Sequence, residues 1–60
     1  MIDREEWRLK RLKYRISISE IARSIGCTHA LISMWESGNY MAEEKVNAYM
    51  EYIERIASSK

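Results

Sequence analysis

Proline and phenylalanine are absent from this 60-residue sequence, glycine occurs twice, and cysteine and histidine occur once each. Without proline, and with abundant Ile, Leu, Glu, Arg and Lys, the composition favours helices joined by short turns, so the expected class is all-α. A lone cysteine, Cys27, excludes an intramolecular disulfide and reads as a buried, inert thiol. With His29 as the only histidine, the ligands for a structural zinc site are too few, and neither a metal nor another cofactor is expected. Apolar runs are all too short for a membrane span or a signal-peptide core, which points to a cytoplasmic protein with no membrane partner. Sixty residues allow one domain, spanning 1–60, with a thin stability margin. One histidine, one cysteine and scattered carboxylates are also a poor basis for catalysis, so an enzyme is not expected.

The formal net charge is only +1, but its distribution is uneven. Residues 1–23 carry seven Lys/Arg against four acids, and 24–44 carry three acids with no Lys or Arg. Arg8, Lys10, Arg11, Lys13 and Arg15 form the densest basic run. The positive field therefore belongs to the N-terminal segment, and most of that run should face solvent.

Four helices are expected. The first runs from Asp3 to about Arg15, with Asp3, Glu5 and Glu6 in its first turn, basic residues at its end, and Trp7, Leu9, Leu12 and Ile16 as an imperfect apolar set. Ser17 and Glu20 have the spacing of a capping box opening a second helix that carries Ile18, Ile21, Ala22 and Ile25 and stops at Gly26. Thr28 caps a short third helix with Ala30, Leu31, Ile32, Met34 and Trp35, closed by Ser37-Gly38-Asn39. From about 42 to 57 a final helix carries the stripe Val46, Tyr49, Met50, Ile53 and Ile56.

Two short helices joined through Gly26 and about two further residues have the organisation of a helix-turn-helix. The residues Ser17-Ile18-Ser19-Glu20-Ile21-Ala22, then Gly26, Ile32-Ser33, Trp35-Glu36 and Gly38, resemble the Xre family, the helix-turn-helix of Cro and phage-repressor type, over about Trp7 to Tyr40. This resemblance implies a lambda-repressor-like domain with its motif at about 17–38, and double-stranded DNA as partner, with a recognition helix at about 28–36 in the major groove. It also implies an ion pair between Arg11 and Glu36. Ala22 suits a close helix crossing, and Ile21, Ile25, Ile32 and Trp35 can fill the core around it.

By the same resemblance, bases are read by Thr28, His29, Ala30, Ser33 and Met34. His29 and Ser33 can hydrogen-bond base edges, and Ala30 and Met34 can meet a thymine methyl, but the long side chains that form bidentate pairs are lacking. Phosphate contacts fall to Ser17, Ser19, Asn39 and Tyr40, assisted by Arg23, Lys10, Lys13 and Arg15. Ile18 stands where the family often has a polar residue. Domains of the family usually add a fifth helix. A homodimer through Tyr49, Met50, Tyr52, Ile53 and Ile56, joined by Trp7 or Tyr14, is the expected substitute cover. The function so implied is sequence-directed transcription regulation of bacterial or phage type. The alternative is a module of the same fold that binds another regulatory protein and not DNA, which the absence of Lys and Arg from 24–44 favours.

Overall fold

A computed structural model describes residues 3–59. Its four helices are α1 (Arg4–Lys13), α2 (Ile18–Ile25), α3 (His29–Glu36) and α4 (Glu43–Ser59), with no strand among the described residues. The protein is a small all-α four-helix domain. α2 packs against α3 and α4, and α1 packs against α3 and α4. Between them lie Ile16, Ile21, Ala22, Ile32, Trp35, Met41, Val46, Tyr49 and Ile53, all buried. The Trp35 and Tyr49 rings meet tilted at 59° with centroids 4.9 Å apart, an arrangement aromatic rings favour.

Ser17 and Thr28 are the expected caps, accepting from the Glu20 and Leu31 amides, and Asp3, expected in the first turn of α1, is instead its cap, accepting from the Glu5 and Glu6 amides. Each of these three helices ends alike, with an amide bonding a carbonyl five residues back: Ile16 to Arg11, Cys27 to Ala22, and Asn39 to Met34. This closure needs a left-handed residue at the bend. Gly26 (φ 76°) and Gly38 (φ 116°) supply it at two ends, but at the first the residue is Arg15 (φ 56°). Helix α1 therefore stops at Lys13, two residues before the expected end.

Two further expectations are corrected. Leu9 and Leu12, read as apolar contacts of the first helix, are 54% and 47% exposed, whereas Arg11 is 6% exposed. The buried face of α1 is set by the ion pair of Arg11 with Glu36 and not by its leucines. The capping box is half formed, because the Glu20 side chain leaves the helix start and accepts from the Tyr52 hydroxyl of α4.

Two residues of the expected dimer surface on α4 are also corrected. Tyr49 and Ile53 are wholly buried in the chain's own core, and Met50, Tyr52 and Ile56 are partly buried against it. Trp7 and Tyr14 likewise pack on that core. The α4 residues left exposed include Glu43, Glu44, Asn47, Glu51 and Glu54, an acidic strip and not an apolar one. Four helices thus enclose Val46, Tyr49 and Ile53 of the α4 stripe and cover Met50 and Ile56 in part.

Candidate nucleic-acid interface

The candidate interface is built on α2, the turn Gly26-Cys27-Thr28, and α3. Gly26 lets the chain reverse without steric cost, and Ala22, 4% exposed, allows α2 and α3 to approach closely. On α3 the two faces differ. Ile32 and Trp35 point into the core, while Thr28, His29, Ala30 and Met34 are exposed and Ser33 is half-buried. The five residues expected to read bases therefore share the solvent side of α3. The Thr28 hydroxyl oxygen accepts from the Leu31 amide and caps the helix, as Ser17 does for α2, and its O–H is left to donate elsewhere.

The back of α3 is fixed by the expected pair. Arg11 Nε and Nη2 donate to Glu36 Oε2 and Oε1 at 2.8 and 3.1 Å, and Nη1 donates to the Ile16 carbonyl at 2.8 Å. The Tyr49 hydroxyl donates to the same Glu36 carboxylate. The Arg11 and Glu36 side chains are 7% and 6% exposed, and no buried polar side-chain atom among the described residues lacks a partner. Burial by itself would lower the Arg11 pKa, but the hydrogen bonds and charge of Glu36 outweigh it and raise the pKa above its ordinary value, keeping the guanidinium charged. Burial, then the Glu36 hydrogen bond and charge, push the Tyr49 phenol well above its ordinary value. One carboxylate thus ties α1, α3 and α4 together, which holds α3 in a set orientation.

Two cations also cap helix ends from elsewhere in the chain. Arg4 Nη1 donates to the carbonyls of Trp35 and Asn39, both at 2.8 Å, and its guanidinium stacks on the Trp35 ring at 5.2 Å. Lys45 Nζ donates to the carbonyls of Ile25 and Gly26 at 3.3 Å. Both meet the unsatisfied carbonyls and negative dipole at a helix C-terminus. Sequence spacing carries no signal for either contact, since the partners are 31 and 20 residues apart.

Ser17, Ser19, Arg23 and Tyr40 are exposed, Tyr40 at 84%. Asn39 is exposed too, but its side-chain amide donates to the Met34 carbonyl and closes α3, so its first role is structural. Lys10 and Lys13 lie over the rings of Trp7 and Tyr14, at 4.8 and 5.7 Å. Among the described residues Lys10, Lys13, Arg15 and Arg23 have no acidic partner within ion-pair distance. Their charge is therefore available to a polyanion. Cys27 is half-buried, and burial raises its thiol pKa despite nearby Lys45, which fits an unreactive residue. Among the described residues no group of acids, His and Cys could hold a metal, and no helix is long and apolar enough to cross a membrane.

A comparison of the chain with known protein families, curated proteins and solved structures returned no match.

Proposed function

We propose that this protein is a sequence-directed DNA-binding regulator of the Xre, Cro or phage-repressor type, acting in the cytoplasm with α3 in the major groove. The observation that carries the reading is the two-sided character of α3. Its inner side is locked by Ile32, Trp35 and the Arg11–Glu36–Tyr49 cluster, while His29, Ala30 and Met34 stand in solvent. A rigid helix with an exposed, mixed polar and apolar face suits base edges and thymine methyls. Specificity is modest, because the face lacks Arg, Lys, Asn and Gln, and DNA shape contributes the rest. Ser17, Ser19 and Tyr40, with Lys10, Lys13, Arg15 and Arg23, supply phosphate contacts and attraction.

A second reading, a module that docks on another regulatory protein, is favoured by one observation: residues 24–44 carry acids and no Lys or Arg. Gel shifts against a randomised duplex pool over a salt series separate the two. For a DNA regulator, neutralising Lys10, Lys13, Arg15 or Arg23 weakens binding to all sequences and lowers the salt slope by about one for each phosphate the protein no longer neutralises. Replacing Ser33 or Met34 instead changes which sequences are selected. Failure to bind any duplex at low salt transfers the assignment to the protein-docking module.

A further inference from the structure

The leucines of α1 face outward, and a ten-residue helix has few reasons to expose them. Leu9 and Leu12 are 54% and 47% exposed; Leu9 lies on the side of α1 opposite the buried Arg11, and Leu12 about 100° round from it. Glu5, Leu9 and Lys13 follow at four-residue intervals, and the 3.6-residue period puts them in one row along that outer side. Leu12 lies beside the row, three residues from Leu9, and Glu5 and Lys13 are both exposed. The row thus reads acid, leucine, base, with the charges equidistant from Leu9.

We propose that this outer face of α1 is a self-association surface whose occupant is α1 of a second copy, packed antiparallel about a two-fold axis through Leu9. Charge complementarity selects this occupant and this orientation. Antiparallel pairing about Leu9 sets Glu5 of each copy level with Lys13 of the other, twice, with the two Leu9 side chains meeting between them and each Leu12 level with the aliphatic part of Glu6 in the other copy. A parallel pairing sets Glu5 against Glu5 and Lys13 against Lys13. Opposed helix dipoles favour the same orientation, and a two-fold contact needs a self-complementary patch of this kind. Competing interactions are slight: Glu5 meets Arg8 at 3.5 Å in an exposed pair, and Lys13 lies 5.7 Å over the Tyr14 ring. The surface differs from the α4 stripe, whose Val46, Tyr49 and Ile53 the core buries, and the proposal does not depend on DNA binding. Two leucines on a short helix make a small interface, so the dimer is weak and concentration-dependent.

The test is sedimentation of the full chain from micromolar concentration to about 1 mM, a range that reports weak association. The parent shows a reversible monomer–dimer equilibrium, and Leu9→Lys abolishes it while leaving the helical circular dichroism unchanged. Glu5→Lys or Lys13→Glu alone raises the dissociation constant about tenfold, or about 1.4 kcal/mol, since each reversal damages both symmetric pairs. The combined Glu5→Lys, Lys13→Glu chain restores the constant to within about twofold of the parent, well inside that tenfold step. A parent that stays monomeric throughout overturns the proposal. So does a single Glu5→Lys change that strengthens association, the result expected if α1 docks on the acidic strip of α4, and so does a combined variant that fails to recover.

Discussion

The Arg11–Glu36–Tyr49 cluster makes the most demanding prediction. Glu36→Ala removes a carboxylate that accepts two bonds from Arg11 and one from Tyr49, and it leaves a guanidinium whose side chain is only 7% exposed without its counter-charge. Breaking a buried ion pair from one side costs about 3–5 kcal/mol, chiefly the desolvation of the survivor. A domain of this size has a total stability of roughly 3–9 kcal/mol. Glu36→Ala should therefore leave the protein largely unfolded or close to it at 25 °C. Tyr49→Phe keeps the ion pair and removes one charged hydrogen bond, at a cost of about 1.5–3 kcal/mol. Replacing both charges together, Arg11→Met with Glu36→Leu, leaves neither ion stranded. It should cost much less than Glu36→Ala, because an apolar pair of similar volume commonly matches a buried ion pair. Urea unfolding followed by circular dichroism at 222 nm, fitted as a two-state transition, measures all three. A 1 kcal/mol loss also lowers the melting temperature by about 4–8 °C in a domain of this size. If Glu36→Ala melts within about 2 °C of the parent, less than the shift for 1 kcal/mol, the cluster does not hold the helices together and the account of α3 as a fixed helix fails.

Alkaline pH tests the same cluster with no change to the parent chain. The Tyr49 pKa is raised by folding, so its contribution is fully present below the unfolded tyrosine value of about 10 and is lost as pH rises beyond it. Tyr52, raised by its hydrogen bond to Glu20, acts in the same direction. Denaturation midpoints should fall above about pH 10, less steeply in Tyr49→Phe, and equal slopes in parent and variant would refute this origin. At the end of α1, Arg15 holds a left-handed φ of 56° that glycine adopts freely. Arg15→Gly should raise stability by about 1 kcal/mol in a thermal melt while weakening binding to every duplex, and a destabilised variant would argue against strain at this turn. Removing the cap that Lys45 gives α2, by Lys45→Met, should cost about 0.5–1.5 kcal/mol and speed amide exchange in the last turn of α2 first; uniform exchange would show that the effect is not local.

Local chemistry made much of this protein legible in its sequence. Ser17 and Thr28 cap two helices because their side-chain oxygens reach amides three residues ahead, and Gly26 and Gly38 end the same two because the required φ is positive; these effects act within a few residues. The helical period of Val46, Tyr49 and Ile53 marked the inner side of α4 in the same way. The solvent-facing residues of α3 follow from period too, once Ile32 and Trp35 are assigned to the core. The pairing of Arg11 with Glu36 was legible only through a family resemblance. Contacts between distant parts of the chain were decided by the tertiary structure. Glu20 has the spacing of a reciprocal cap, yet its carboxylate turns to Tyr52, because α4 brings a phenol to it. Arg4 and Lys45 find the ends of α3 and α2 only after the helices have packed. Leu9 and Leu12 look like core in any local count and lie outside. Burying Arg11 against Glu36 and Ile16 fixes the rotation of α1 about its axis, which turns Leu9 to the far side and Leu12 about 100° away from Arg11, so that both stay largely in solvent. Tyr49 and Ile53 suggested spare apolar surface, but four helices enclose them completely. How much apolar surface remains for a partner is a property of the packed whole, which no stretch of sequence carries alone.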